Sequence, residues 1–266
     1  MPKTIKKPSS LFSISGKVAV ITGASGAFGR VAATALAVEG ARLALVAGNA
    51  RALAETAAEC RAAGADVVEI LRRPSTIADA EEIVAQTVDT FGQIDILVSA
   101  AGTNDVAPIQ EMDVARFEAV MHANVTGSWI MAKVVADQFI KQATGGKIVL
   151  MSSARGILGH PAGYSAYCAS KSAIDGIVRA LGCELGKYNI TVNAIAPTVF
   201  RSDLTAWMFE DTERAVKTRE GLMPRIPLGR LGEPEDLAGP LLFLSSAASN
   251  FYTGHILYAD GGYTAG

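Results

Sequence analysis

The sequence predicts an α/β protein: one domain, with a parallel sheet and helices on both of its faces. Two observations carry that expectation. Short apolar runs of strand length alternate with helix-length amphipathic or Ala-rich runs from residue 17 to residue 196. Repeated βα units imply parallel strands joined by right-handed crossovers. The second observation is a glycine-rich turn placed directly between the first strand run and the first helical run. The 266 residues, 50% hydrophobic and 19% charged, suffice for a sizeable core, and no shift of composition marks a linker.

Taken in order, residues 1–12 are polar and basic without an apolar signal-peptide stretch, and are expected to form a mobile arm before a domain over 13–266. Lys17–Thr22 reads as a buried strand, Gly23-Ala24-Ser25-Gly26-Ala27-Phe28-Gly29 as the turn, and Arg30–Glu39 as a helix closed by Gly40. Strand, glycine turn and helix together begin a dinucleotide fold. Glycines let the backbone approach a pyrophosphate, and the helix start offers it unpaired N–H groups. The predicted architecture is therefore a Rossmann-type doubly wound sheet. Arg42–Ala47 is the second strand, Ala50–Ala63 a helix, Val67–Leu71 the third strand, Ile77–Phe91 a helix and Ile94–Val98 the fourth strand.

Small residues follow at Ser99-Ala100-Ala101-Gly102. Met112–Ile140 has helical periodicity, with Asn124 inside it against its propensity. Lys147–Met151 is a strand, and the next helix runs to about Lys187. Ile190–Ala196 is a further strand, Pro234–Ser245 a helix and Thr253–Tyr258 the last strand. Residues from about 198 to 231 exceed an ordinary connection and are expected to form an inserted lid.

The chemistry is expected between Ser152 and Lys171. A loop broken by Gly156, Gly159, Pro161 and Gly163 leads into a helical pattern bearing Tyr167 and Lys171. Residues four apart share a helix face, so a phenol and an ammonium would stand together. The cation should lower the phenol pKa from its usual value of about 10, which suits an acid/base. Ser153 would bond the substrate oxygen, with Ser152 as the alternative. Tyr164 has Cys168, not Lys, four residues on.

On these residues the chain resembles the short-chain dehydrogenase/reductase family over residues 13–264. The resemblance implies a catalytic set of Asn124, Ser153, Tyr167 and Lys171. Asn124 would kink its helix and hold a water behind Lys171, and Lys171 would also hold the nicotinamide ribose. It implies an NAD(P)(H) cofactor touching Gly23, Ser25, Ala27, Phe28 and Gly29 on the first turn and Asn49 after the second strand. Further contacts would come from Ala100, Ala101 and Gly102, from Tyr167 and Lys171, and from Pro197, Val199 and Ser202. A homo-oligomer, with a tetramer favoured, is also implied. The sequence departs from the family pattern at several points. Ala27 replaces a glycine of T-G-x-x-x-G-x-G, Thr198 replaces a glycine, and Ser202 replaces a threonine. Arg72-Arg73-Pro74-Ser75 replaces an expected Asp, and the loop between Ser153 and Tyr167 is one residue longer.

No acid follows the second strand, where dinucleotide folds place one for a ribose 2′-OH. With Asn49, Arg51, Arg72 and Arg73 nearby, the expectation leans to NADP(H). Arg155, His160 and Arg201 flank the expected pocket and favour a polar or anionic small substrate such as a sugar acid or polyol. Residues 225–231 and Asp260-Gly261-Gly262 are similar to gluconate 5-dehydrogenase-like members and to 3-oxoacyl-carrier-protein reductases. A 3-oxoacyl thioester reductase is thus the alternative, and a catalytically silent dinucleotide-binding sensor the alternative of another class. A formal charge of −2 gives no field for nucleic acid or membrane, and no apolar run reaches a membrane span. Three cysteines without pairing or metal spacing suggest a reduced, cytoplasmic setting, and three scattered histidines no metal site.

Overall fold

A computed structural model describes residues 7–202 and 205–266. One sheet organises them, built from β1 (Val18–Thr22), β2 (Arg42–Ala47), β3 (Val67–Leu71), β4 (Ile96–Ser99), β5 (Gly146–Met151), β6 (Ile190–Pro197) and β7 (Ile256–Ala259). Their spatial order is β3-β2-β1-β4-β5-β6-β7, and every neighbouring pair is parallel. β1 and β6 are buried along their whole length, which is why they read as continuous apolar runs rather than alternating ones.

The helices are α1 (Ala27–Val38), α2 (Ala50–Ala62), α3 (Ile77–Phe91), α4 (Val114–Met121), α5 (Gly127–Gln142), α6 (Ser165–Leu185), α7 (Glu213–Leu222) and α8 (Glu235–Ser245). One sheet face packs Leu36, Leu53, Ala57, Leu237 and Leu241 from α1, α2 and α8. The other packs Ile83, Val135, Phe139, Ile174 and Val178 from α3, α5 and α6. Burying each large side chain contributes roughly 1.5–3 kcal/mol. The strand order reverses direction between β1 and β4, and in such sheets the ligand crevice opens there, beyond the C-terminal strand ends.

Three sequence expectations change. The long helix over 112–140 is α4 and α5 joined by one turn of π-helix at His122–Thr126, with Gly127 N–H donating to His122 O. The last strand begins later, at Ile256, because Gly254 turns with φ 75° and donates its N–H to Val192 O. Of the expected N-terminal arm, residues 1–6 lie outside the described residues, while Pro8–Phe12 form a 3-10 turn with Phe12 against the ring of Phe243.

Within the expected lid, residues 203–204 lie outside the described residues. The rest holds α7 and two 3-10 turns, Ala206–Phe209 and Met223–Arg225. These pack through Met208, Ile226 and Leu231 onto Ala154 and Tyr263 in a third apolar cluster, separate from the two against the sheet.

Candidate active site

The crevice floor is backbone. Gly23 has φ 67°, and a Cβ there would stand 2.6 Å from Ala101 Cα. A Cβ on Gly29 would stand 2.1 Å from Gly23 O. The turn after β1, the loop after β4 and the start of α1 are therefore in contact through glycine alone. Gly26 caps α1 without a side-chain acceptor for the first-turn amides. This is the donor set and the cleared space that a pyrophosphate requires, so the residues present fit a dinucleotide. Ser25, Ala27 and Phe28 lie on this turn, and Phe28 rests edge-on against Phe200, beyond β6.

Ser153 lies two residues beyond β5, capping the short turn Ala154–Gly156, and Tyr167 lies in the first turn of α6. The Ser153 hydroxyl bonds the Tyr167 phenol. Ser153 Oγ accepts Arg155 N–H at 3.1 Å, and only a long 3.5 Å contact joins it to Pro197 O. Ser152, the alternative, points elsewhere: its hydroxyl donates to Asp175 Oδ1 at 2.5 Å. The pleat sends neighbouring residues to opposite faces, so only one of the two serines can meet Tyr167.

Lys171 is buried, its ammonium donating to Met151 O at 2.7 Å and lying 5.5 Å from the Tyr167 ring centroid. Burial pushes its pKa down to about 8, with the Asp175 carboxylate pulling the other way. The expectation of a lowered phenol is corrected here. Burial raises the Tyr167 pKa above its ordinary value, and the hydrogen bond from Ser153 offsets only part of that. The ammonium is turned to a carbonyl rather than to the phenol oxygen. Tyr167, Lys171, Asp175 and Arg179 recur every four residues of α6, so one helix face carries phenol, cation, anion and cation in turn.

Asn124 sits in the π turn, buried at 1% exposure. Its Oδ1 accepts Thr103 N–H at 2.7 Å, and its Nδ2 donates to Thr103 O and to Ser170 Oγ, each at 2.9 Å. The side chain thus ties the loop after β4 to α6. A Cβ on Gly102 would stand 3.0 Å from Asn124 Oδ1.

At the adenosine end, Asn49 caps α2, accepting Ala52 N–H at 3.1 Å. Arg51 pairs with Glu55, and Arg72 with Asp79 and Glu82. Arg73 has no ion pair among the described residues. Its stem lies across Gly48 at the end of β2, where a Cβ would come within 2.1 Å of Arg73 Nε.

At the substrate end, Arg201 pairs bidentately with Glu233 and stacks on Phe209 at 3.8 Å. Arg155 instead holds neutral partners, Gly159 O at 2.7 Å and the Tyr263 hydroxyl at 3.0 Å. His160 lies 4.4 Å from the Tyr164 ring, itself 6.3 Å from Tyr167. Val199 O accepts Gly232 N–H, and Ser202 bonds Thr205. A cavity of about 420 Å³ is lined by Thr198, Phe200, Arg230, Asp236 and Asp260, without Ser153 or Tyr167, and is not the catalytic site.

Sequence reasoning missed Gly48, Ser170 and Asp175. Gly48 had a signal, a glycine closing a strand. Asp175 had one in its spacing of four from Lys171. Ser170 had none. Among the described residues no group of three His, Cys, Asp or Glu side chains is set to hold a metal ion.

A family profile described as enoyl-(acyl carrier protein) reductase matches residues 23–264. An uncharacterized oxidoreductase of Mycobacterium tuberculosis is 49% identical over 96% of this chain and 93% of its own length. The 2-dehydro-3-deoxy-D-gluconate 5-dehydrogenase of Dickeya dadantii is 37% identical over 96% of this chain and 98% of its own. A gluconate 5-dehydrogenase from Burkholderia cenocepacia, solved with NADP and tartrate, superposes with a TM-score of 0.88 at 29% identity. That match covers 96% of this chain and 98% of the other.

Proposed function

This chain belongs to the short-chain dehydrogenase/reductase family, NAD(P)-dependent oxidoreductases of CH–OH groups, and from that premise we propose that it interconverts the alcohol and ketone of a small polar acid, a sugar acid or a related polyol. The observation that carries the reading is the Ser153–Tyr167–Lys171 arrangement at the end of β5, facing the glycine-lined crevice.

A bound nicotinamide supplies or takes the hydride. The glycine turn and the start of α1 would hold its pyrophosphate. Tyr167 would give a proton to the ketone oxygen or take one from the alcohol. Ser153 would donate to that oxygen and orient it. Lys171 would hold the ribose and, once drawn from Met151 O, lower the phenol pKa. Asn124 would keep α6 and the loop after β4 in register behind Lys171.

The preference for NADP(H) rests on Arg73, the one arginine of the expected three without a carboxylate partner among the described residues. An arginine near the end of β2 suits a 2′-phosphate. The relatives named for gluconate derivatives and the tartrate held by one of them support an acid substrate. A homotetramer belongs to the same reading. An open groove between α5 and α6, lined by Trp129, Ala136, Ile140, Ile177 and Leu181 and edged by Lys133, Asp137 and Glu184, offers a largely apolar face to a second copy. Among the described residues no helix is long and apolar enough to cross a membrane.

Turnover of D-gluconate, D-glucitol and a 3-oxoacyl thioester with each cofactor tests the reading. Activity on the sugar acid or polyol is the expected result. Activity confined to the thioester would replace the substrate class. Cofactor binding with no turnover anywhere in the panel would favour a silent sensor.

A further inference from the structure

Tyr263 is buried at 2% exposure in the small cluster that joins the lid to the tail. Two guanidiniums lie over its ring: Arg155, with its central carbon 5.4 Å from the centroid, and Arg225, at 4.5 Å. They come from distant places in the chain. Arg155 follows the catalytic Ser153, and Arg225 ends a 3-10 turn of the lid. Neither has an ion pair among the described residues. The neighbouring acid of the tail, Asp260, is already engaged: its carboxylate accepts Gly262 N–H, Thr264 N–H and the Thr264 hydroxyl. Arg201, in contrast, is neutralised by Glu233.

We infer that Arg155 and Arg225, held over Tyr263, form a carboxylate-binding subsite beside the reacting phenol, with Arg225 and Tyr263 as specificity-determining residues. The inference rests on the alcohol/ketone reading for the role of Tyr167. Like charges repel, so two guanidiniums are kept on one aromatic ring only where their partner supplies something a salt bridge within the chain would remove. A tyrosine face holds a cation without cancelling its charge. The planar fork of Arg225 then remains available to a carboxylate, while Arg155, with one nitrogen on Gly159 O and another on the Tyr263 hydroxyl, adds an uncancelled positive charge beside it.

The fields of both arginines reach His160, whose pKa is lowered first by burial and then by Arg155 and Arg225. His160 Nδ1 accepts Ala162 N–H at 3.1 Å, which leaves Nε2 to carry the proton of the neutral ring and donate it. Arg155 N–H donates to Ser153 Oγ at 3.1 Å, so the subsite adjoins the reacting centre. Because Arg225 belongs to the lid and Arg155 to the floor, an anion bridging them would also fasten one to the other.

The test is binding of tartrate, and of threitol as its neutral tetraol analogue, to the full chain saturated with NADP⁺, read by titration calorimetry. The wild type should bind tartrate and not threitol. Arg225→Gln, at an exposed position, should weaken tartrate by roughly tenfold or more at unchanged melting temperature. Arg225→Lys should restore part of the loss. Tyr263→Phe keeps the ring and should cost less, through Arg155 alone. Tartrate affinity unchanged in Arg225→Gln, equal binding of tartrate and threitol, or no tartrate binding by the wild type would each overturn the subsite. Turnover in the substrate panel decides the alcohol/ketone reading separately.

Discussion

The two ends of the crevice are built by different means. At the end proposed to be catalytic, side chains are buried and each has a fixed partner: Asn124 on Thr103 and Ser170, Ser153 on Tyr167, Lys171 on Met151 O, Asp175 on Ser152. At the other end, expected to face the adenosine, the segments after β2 and β3 hold exposed or half-buried arginines, Arg51 and Arg72 paired and Arg73 lying over Gly48. Removing one atom from a buried, satisfied network leaves another polar group unpaired. Removing an exposed charge leaves only water in its place. Substitutions at the first end should therefore act mainly on chemistry, apart from Lys171, and those at the second mainly on affinity.

The largest effect is expected from Tyr167→Phe, which should lower kcat by about 10²–10⁴-fold while leaving cofactor affinity nearly intact. Ser153→Ala should cost about a hundredfold. Ser152→Ala should cost only a few-fold, because its hydroxyl serves Asp175. Steady-state rates with cofactor fluorescence check all three, and equal losses from the two serines would erase the distinction drawn between them.

Arg73→Gln should act in the opposite sense. NADPH affinity should fall by roughly ten- to a hundredfold, as for loss of a charge-assisted bond, with NADH affinity and kcat unchanged. A parallel fall for both cofactors in a fluorescence titration would show that Arg73 braces Gly48 rather than reading a 2′-phosphate.

The smallest effect concerns stability. The folded pKa of Lys171, about 8, lies below the ordinary 10.5 that it has when unfolded. Below pH 8 both states hold the proton, and folding must bury an ammonium. Between pH 8 and 10.5 the unfolded state binds more protons, so this contribution makes stability rise with pH. Lys171→Met should thus raise stability by about 1–2 kcal/mol at neutral pH. That gain should fade as pH rises through this window, as followed by thermal melts without cofactor. A destabilised variant at pH 7 would show that the Met151 and Asp175 contacts outweigh burial.

The sequence is legible where a local pattern has one structural solution. β2 and α3 carry the predicted bounds because β2 ends at Gly48 and α3 lies between Gly92 and the capping residue Thr76, whose side chain forms a capping box with Asp79; β3 ends where the apolar run meets the charged Arg72. Ser153, Tyr167 and Lys171 were legible because strand end and helix spacing bring them together. The π turn around Asn124 was not, since one extra residue per turn leaves the hydrophobic periodicity on both sides intact. The raised phenol was not, because it depends on burial and on an ammonium turned to a backbone carbonyl. Arg225 and Tyr263 lie far in sequence from Ser153, and no local pattern joins them.

The long loop after β5 bears on which length changes the chain tolerates. Its ends are clamped. Ser153 is held at the strand, and Gly163, at φ 76°, would place a Cβ 2.4 Å from the Ala107 backbone. Between them Ile157, Gly159, Pro161 and Ala162 are exposed, so an added residue bulges into solvent and neither Ser153 nor Tyr167 shifts. The same addition within α6, between Tyr167 and Lys171, would rotate everything beyond it by about 100° and part the phenol from the cation and anion that follow it. Insertions should thus be permitted between Ile157 and Ala162 and forbidden in the neighbouring helix, and a library of single-residue insertions across 157–179 would draw that border near residue 163.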